Sequence, residues 1–506
     1  MRAATREVPQ MRRPALIAAL LLGGSLLPAT ATADQLVVKQ DLGSGPISTD
    51  NVTYHGTIPI DSPGVGGEVV VRPDLGNKKF FYATGLKGLS IYDVTNPERP
   101  VPAGHFPFAH AQNEDVKVSD DGRTVVIAAD GALLVGINPV TTGITVIDVT
   151  NPALPRLVAS SNDRVMGRGT AAGLAEHTAE CADATCSVIY GRTGRIYKVD
   201  ARLGRVDPVG TWTRDLNGVN VSGIHALNRD ESGLIISDST TRLILDPGVL
   251  DPQATPLKPK VLAQGNRASQ DNRLQHNNVR TDALDWVPRP RPEDPEEEEI
   301  IPTAEAGVDF PVSPRSVSIQ RVREIMEPGE LVIGNSESNL NTFCSTAGGL
   351  STWGIVNFDR EERTTIQQLE VFRPLNGTWA DGSPAANALG CSGHWFTEGD
   401  GVVAASWYEH GVRFFEIDKR YGTINEVGYF QPVATQAGAA YWIDDTYVYS
   451  VDYARGIDIL SFDRDADPAS QAELDANWIA GLSLVGSGTF AEQERYACRQ
   501  AALKVG

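Results

Sequence analysis

The sequence is poor in cysteine, in methionine and in positive charge. It has five cysteines and four methionines in 506 residues, and its 64 acidic residues outnumber its 44 lysines and arginines. The formal charge of -20 repels phosphate backbones and anionic lipid headgroups, so the composition argues against nucleic acid and membrane surfaces as partners. It favours cations or basic ligands instead.

Long apolar stretches are also missing after the N-terminal region, so the mature chain is predicted to have no membrane span. In that region, Arg12 and Arg13 precede an apolar core at residues 15–27, and Ala31-Thr32-Ala33 offers a cleavage site. This pattern is typical of a signal peptide over residues 1–33. We therefore expect a monomer that is secreted or extracytoplasmic, in the periplasm or at the cell surface.

Common catalytic signatures are absent as well. The sequence has no Gly-x-Ser-x-Gly elbow, no phosphate-binding Gly-Lys-Ser/Thr loop and no His-Glu-x-x-His pair. It has no Cys-x-x-Cys spacing either, so disulfides are favoured over a metal–thiolate site. Cys181 and Cys186 can close a small loop, Cys344 and Cys391 can join neighbouring units, and Cys498 is left over.

What the sequence does contain is a repeated strand. GLSIYDVTNP at residues 88–97 returns as GITVIDVTNP at residues 143–152, and each copy alternates apolar residues between a leading glycine and an Asn-Pro turn. Shorter copies begin at residues 194, 242, 354, 411 and 456, mostly 45–57 residues apart. One four-stranded propeller blade has about this length. The sequence therefore predicts an all-β fold, a seven-bladed β-propeller over residues 34–463.

Three departures from the repeat complete the domain organisation. The last unit lacks a fourth strand, and residues 51–59 resemble one, so we expect this N-terminal strand to complete the last blade and remove a sheet edge. The doubled spacing before residue 354 reflects an acidic, proline-rich insertion at about residues 286–330, which is typical of a solvated loop. Residues 464–506 are predicted to form a partly helical C-terminal tail.

The repeated strand also carries a family resemblance. Residues 143–152, CSGHWF at 391–396, WYEHGVRF at 407–414 and the segment 448–460 resemble the LVIVD-repeat family of extracytoplasmic β-propeller proteins. The resemblance runs over about residues 51–463 and is clearest in the first two and the last two units. It implies a propeller outside the cytoplasm but no particular activity, because propellers serve as enzymes and as binding modules alike.

Histidines recur near the first strand of five units, at His110, His177, His225, His276 and His394. First strands line the centre of a propeller, so equivalent positions lie at one height around a common axis. With Glu176 beside His177, and Glu114 and Asp115 near His110, the group is a candidate site for Zn, Cu, Fe, Mn or a polar ligand. The alternative is structural, with each histidine hydrogen-bonded to a neighbouring blade.

The remaining histidines, His55, His105 and His410, fall on fourth strands or outer loops, and we expect them outside this group. EHTAEC at residues 176–181 is similar to the His-Thr-x-His-Cys stretch of copper-dependent methanethiol oxidase (selenium-binding) propellers, with Glu180 in place of the second histidine.

Two hypotheses for the function follow from these observations. The first is a binding or scaffold protein that holds a protein or small-molecule ligand at a histidine-lined channel mouth. The alternative is a metal-dependent oxidase or hydrolase that uses the same site.

Overall fold

The computed structural model describes residues 36–43, 47–60, 64–85, 87–107, 116–130, 142–169, 173–221, 224–238, 242–265, 274–286, 326–337, 349–357, 364–372, 392–470 and 472–474. The predicted signal peptide, His110, Cys344, Cys391, Cys498 and most of the insertion and tail lie outside these ranges. The described chain is all-β, as predicted. Its helical parts are two 3-10 helices, η1 (Pro73–Leu75) and η2 (Ala283–Asp285), and a short segment at residues 472–474.

The strands group into seven antiparallel four-stranded sets, numbered here in chain order. Within a set, strands that follow one another in the chain are hydrogen-bonded neighbours. Sets 1 to 4 are β2 (Gly64–Arg72), β3 (Lys78–Gly85), β4 (Gly88–Asp93) and β5 (Val101–Pro107); β6 (Val116–Val118), β7 (Thr124–Ala129), β8 (Gly143–Asp148) and β9 (Arg156–Ser160); β10 (Ala179–Cys181), β11 (Val188–Gly191), β12 (Arg195–Asp200) and β13 (Arg205–Thr211); and β14 (Leu227–Arg229), β15 (Ile235–Ser237), β16 (Leu243–Asp246) and β17 (Lys260–Gly265).

The other three sets follow the same plan, and every copy of the repeated strand forms the third strand of its set. Sets 5 to 7 are β18 (Leu274–Arg280), β19 (Leu331–Glu337), β20 (Leu350–Asn357) and β21 (Thr364–Phe372); β22 (Phe396–Gly399), β23 (Val402–Ser406), β24 (Val412–Asp418) and β25 (Thr423–Phe430); and β26 (Ala437–Trp442), β27 (Tyr447–Asp452) and β28 (Gly456–Phe462) with β1 (Val52–Ile58).

The prediction that an N-terminal strand completes the last set is confirmed. β1 pairs antiparallel with β28, from Val52 opposite Phe462 to Ile58 opposite Ile457. The chain before β1 adds to this closure, because the Nδ2 of Asn51 donates to the carbonyl of Val427 at 3.0 Å. The first and the last strand of the described chain therefore share one sheet.

The prediction of one seven-bladed β-propeller of four-stranded blades is wrong, because the strands form five sheets and two of these have eight strands. The last strands of sets 2 and 3, β9 and β13, run parallel and pair at Ser160 and Arg205. The last strands of sets 4 and 5, β17 and β21, also run parallel and pair from Ala263 with Thr364 to Gly265 with Ile366. Outer-edge hydrogen bonds thus fuse two pairs of sets.

The sets are nevertheless arranged in a closed circle. The first strand of each set contacts the first strand of the next, and β26 of set 7 contacts β2 of set 1. Seven apolar clusters accompany these contacts, one between each pair of consecutive sets. Between sets 7 and 1, the ring of Phe81 lies 5.6 Å from Tyr441 and 5.4 Å from Tyr449. The hydrophobic core is therefore distributed around the circle.

The backbone conformation explains why the repeated strand begins with glycine. Gly88, Gly143 and Gly456 begin third strands with φ of 124°, 108° and 118°, a region that residues with a Cβ rarely adopt. A Cβ at Gly456 would also lie 2.4 Å from the carbonyl oxygen of Ile58 on β1. Glycine at this position therefore permits the close approach of the fourth strand.

One of the two predicted disulfides lies in the described chain. Cys181, the last residue of β10, is bonded to Cys186 in the turn that leads to β11. The bond lies in the apolar cluster between sets 2 and 3, where both cysteines are buried. The predicted pair of Cys344 and Cys391 lies outside the described residues.

Removal of residues 34–60 should prevent the circle from closing. The deletion takes away β1, exposes the edge of β28 and uncovers Ile457 and Ile459, so we expect aggregated protein on size-exclusion chromatography. The matched control lacks only residues 1–33 and should elute as a soluble monomer. A soluble, monomeric 34–60 deletion with unchanged thermal stability would contradict this role of β1.

Candidate functional site

Four of the predicted histidines converge at one end of the circle of first strands, which we call the mouth. His177, His225 and His394 each precede the first strand of their set by two residues, and His276 lies within β18. The distances between consecutive ring centroids are 4.5, 4.0 and 3.9 Å in this chain order. All four side chains are buried. We call these four residues the histidine array.

The array arises because neighbouring first strands begin side by side around the circle. Backbone hydrogen bonds fix two of these strand starts. The amide of His394 donates to the carbonyl of Ser406 at 2.9 Å, and the amide of His225 donates to Oδ1 of Asp238 at 2.7 Å. The Nδ1–H of His394 also donates to the carbonyl of Gly438 in set 7. His394 therefore links sets 6 and 7, as the structural alternative expects.

Acidic residues approach the array from the ends of second strands. The Nδ1–H of His177 donates to Oδ2 of Asp130, which follows β7, at 3.0 Å. Glu337 ends β19, and its Oε2 lies 3.8 Å from Nε2 of His276. Second strands run antiparallel to first strands, so their ends lie beside the starts where the histidines are placed. The mouth therefore combines imidazoles with carboxylates.

Sequence reasoning missed Asp130, Asp238 and Glu337, although they share a position. Asp130 and Asp238 directly follow the second strands of sets 2 and 4, and Glu337 is the last residue of the second strand of set 5. An alignment of the repeats by their second strands would have placed these carboxylates together. The repeated phrase is clearest in the third strands, and a comparison of those strands alone does not reveal the shared position.

Three residues at the mouth have the geometry of a metal-ligand set. His225, His276 and Glu337 each offer one ligand atom, and these atoms lie within 4.8 Å of one another. Two imidazoles and one carboxylate are ligands that Zn²⁺ and Fe²⁺ accept, with coordination positions left open for water or substrate. The set joins the start of set 4 to the hairpin of β18 and β19.

A buried charged pair lies behind His225. Asp238 accepts hydrogen bonds from the amides of His225 and Ala226, and burial raises its pKa well above the usual range despite these bonds. Burial also lowers the pKa of Arg242 to about 9, although Asp238 opposes this effect. The guanidinium of Arg242 lies 4.0 Å from the ring centroid of Trp353. The two hydrogen bonds to Asp238 fix the backbone at His225.

The carboxylate of Glu176, a predicted ligand, is bound by donors of set 3. It accepts a hydrogen bond from Tyr197 at 2.7 Å and from the amide of Thr193 at 3.0 Å, and Arg195 lies 3.5 Å away. These donors belong to set 3, so Glu176 braces β12 against the chain before β10. The structure therefore does not support Glu176 as a ligand.

The other histidines lie elsewhere. His55 is on β1, where it shares a hydrogen bond of 2.8 Å with Ser461, and His105 is on β5. His410 is buried in the turn between β23 and β24, where burial and the nearby Arg413 lower its pKa well below the ordinary value. His110 lies outside the described residues, so its predicted place in the group stays a prediction.

A second polar layer lies among the first strands beside the array. Nζ of Lys117 on β6 lies 3.1 Å from Oε2 of Glu180 on β10 and 3.1 Å from Oδ1 of Asn228 on β14. The ring of Trp395 lies 5.7 Å from this Nζ and 6.3 Å from the His276 ring. Glu68 on β2 completes the layer, and burial raises its pKa to about 7 although Lys117 opposes the shift.

Comparisons with known proteins give a distant likeness of fold. No protein-family model and no curated protein matches the chain. A proposed 6-phosphogluconolactonase from Bacteroides uniformis is similar at 12% identity and a TM-score of 0.43, covering 77% of this chain and 89% of its own. One from Bacteroides fragilis has 9% identity, a TM-score of 0.40 and coverage of 78% and 88%. The designed protein Ika8 has 9% identity, a TM-score of 0.37 and coverage of 80% and 97%.

These scores carry no functional argument, so function is argued from the site itself. In the part of the chain that the structure describes, no helix is long and apolar enough to cross a membrane.

Glu409, in the turn that follows β23, should make stability depend on pH. Burial raises its pKa to about 7, although a 3.2 Å hydrogen bond from Gln436 acts to lower the pKa. The folded protein therefore binds this proton more tightly than the unfolded chain, and its stability falls as pH rises from about 4.5 to 7. Between pH 5 and pH 8 the free energy of unfolding falls as this proton is released. We expect Glu409→Gln to reduce that fall by about 1–2 kcal/mol, after allowance for solvent screening.

Thermal unfolding at both pH values measures this difference. The control is Glu416→Gln, because Glu416 is an exposed residue of β24 in the same set. An equal response of the two variants would contradict the assignment to Glu409.

Proposed function

We propose that the protein is an exported metal-binding protein that holds one divalent transition metal ion at the mouth. The ligands are His225, His276 and Glu337, and the observation that carries the proposal is the approach of their ligand atoms to within 4.8 Å. His177 and His394 flank this set and belong to the same array. Zn²⁺ and Fe²⁺ are the ions that this donor set favours.

The burial of the ligands supports a cation. The side chains of His225 and His276 are 6% and 0% exposed, and their ring centroids are 4.0 Å apart. Two protonated imidazoles this close would repel each other strongly, whereas two neutral imidazoles can each donate a lone pair to one cation. A bound cation would also neutralise Glu337, whose charge lies at the edge of a buried site.

Two of the four histidines in the array, His177 and His394, have supporting roles and are not among the three proposed ligands. Asp130 fixes the Nδ1–H tautomer of His177, and Gly438 does the same for His394. Such outer partners orient imidazoles in metal sites. His177 and His394 therefore shape the site on either side of the three ligands, and His394 also links sets 6 and 7.

We place this site in an LVIVD-type repeat protein outside the cytoplasm. The support is the N-terminal sequence of residues 1–33 and the repeated strand, which recurs as the third strand of every set. The bound ion would serve a binding or scaffold role, with the mouth as the surface that a protein or small-molecule ligand contacts.

A second function, a metal-dependent oxidase or hydrolase, is favoured by one observation. Three ligands from two histidines and one carboxylate leave coordination positions open, and such positions are where catalytic metal sites bind water or substrate. A coordination sphere completed by His177 or His394 would instead favour the binding role.

Metal analysis tests the proposed site. Untagged protein saturated with Zn²⁺ and then desalted should contain about one ion per chain. His225→Ala with His276→Ala should lower the affinity at least about 100-fold, because two of three ligands are lost. The control, His55→Ala with His105→Ala, changes two histidines outside the array and should retain the ion. Equal metal content in both double variants would refute the site.

Cobalt substitution separates binding from catalysis. An open coordination position should let azide bind Co²⁺ and change the visible absorption spectrum of the protein at millimolar concentration. This result would favour the enzyme. A spectrum that azide does not change would indicate a filled coordination sphere and favour the binding role. The same titration on His177→Ala and His394→Ala shows which flanking histidine fills the remaining position.

A further inference from the structure

We infer that Tyr408 is a positioning residue that holds Glu337 in place to bind the metal ion. This inference rests on the proposed metal site. Tyr408 belongs to set 6, whereas Glu337 belongs to set 5 and is the acidic member of the ligand set. The phenol of Tyr408 donates a hydrogen bond of 2.6 Å to Oε1 of Glu337.

This hydrogen bond gives the two carboxylate oxygens of Glu337 different roles. Oε1 accepts the phenol, while Oε2 lies 3.8 Å from Nε2 of His276. A hydrogen bond to a charged acceptor is stronger than one between neutral groups, so it restricts rotation of the carboxylate. Oε2 is thereby kept on the side of the histidines, where the ion would bind.

The ring of Tyr408 is fixed as well as its hydroxyl group. Its centroid lies 4.7 Å from that of His394, and the side chain is buried. The amide of Tyr408 donates to the carbonyl of Ala437 in set 7 at 3.2 Å, and the amide of Ala437 donates back at 3.0 Å. Tyr408 therefore ties Glu337 of set 5 to His394 of set 6 and to β26 of set 7.

The backbone of Tyr408 gives independent support. Its φ is +43°, in the left-handed region that a bulky residue adopts only at a cost. The turn enforces this conformation, since Trp407 donates to the carbonyl of Gly411 at 2.7 Å and Gly411 donates to that of Tyr408 at 3.0 Å. Asparagine or glycine would fit the turn with less strain, and strained residues of this kind cluster at functional sites. The strain is explained if the phenol is needed at the mouth.

Tyr408→Phe tests the inference, because it retains the ring and removes only the hydroxyl group. We expect its affinity for Zn²⁺, measured by competition with a chelator, to fall about 10- to 100-fold. The visible spectrum of the Co²⁺ form should also change as the carboxylate loses its fixed orientation. Tyr408→Asn suits the left-handed turn and should fold, yet it should lose affinity to at least the same extent.

Tyr197→Phe is the matched control. It removes a phenol–carboxylate hydrogen bond of similar length, 2.7 Å, to Glu176, which lies outside the ligand set. We expect it to lower the melting temperature and to leave Zn²⁺ affinity and the Co²⁺ spectrum unchanged. An equal loss of affinity in Tyr197→Phe and Tyr408→Phe would show a general effect of destabilisation and overturn the inference.

Glu337→Gln distinguishes the inference from the proposal on which it rests. If Glu337→Gln binds Zn²⁺ as tightly as the unmodified protein, the ligand set itself is wrong. If Glu337→Gln loses the ion but Tyr408→Phe retains full affinity and an unchanged Co²⁺ spectrum, the metal site stands and the role of Tyr408 is refuted. Loss of affinity in both variants, with Tyr197→Phe unaffected, supports the inference.

Discussion

The fold depends on apolar packing between neighbouring sets that has to close on itself. Each set buries side chains against the set before it and the set after it, and the cluster of Phe81, Tyr441 and Tyr449 joins the last set to the first. A circle left open between the last set and the first would expose two such apolar faces to water. The pairing of β1 with β28 holds the first and last strands together, so that the interface between sets 7 and 1 can form.

Much of this architecture could be predicted from sequence, because local patterns encode it. Alternating apolar residues and positive-φ glycines such as Gly143 and Gly456 mark the third strands, and residues 51–59 carry the pattern of the missing fourth strand. The parallel pairing of β9 with β13 and of β17 with β21 could not be predicted. The pairing depends on how closely the outer edges of two sets approach. The sequence of an edge strand does not indicate which other edge it will pair with.

The candidate site was predictable to a similar extent. Four histidines repeat at equivalent places, and the circular arrangement brings them together. Glu176 is next to His177 in the sequence, but its carboxylate is bound by Tyr197 and Thr193 of set 3, and adjacency in the sequence does not reveal such partners. Glu337 was missed because the repeated phrase marks third strands and not the ends of second strands, and Tyr408 was missed because it lies in the turn after β23.

The polar layer of Lys117, Glu180 and Trp395 has a consequence for the charge beside the site. The side chains of Lys117 and Glu180 are only 10% and 5% exposed, and their charged atoms lie 3.1 Å apart. The carboxylate of Glu180 offsets the ammonium of Lys117, so this pair presents little net charge to a cation at the array. An unpaired buried lysine at this place would repel the same cation.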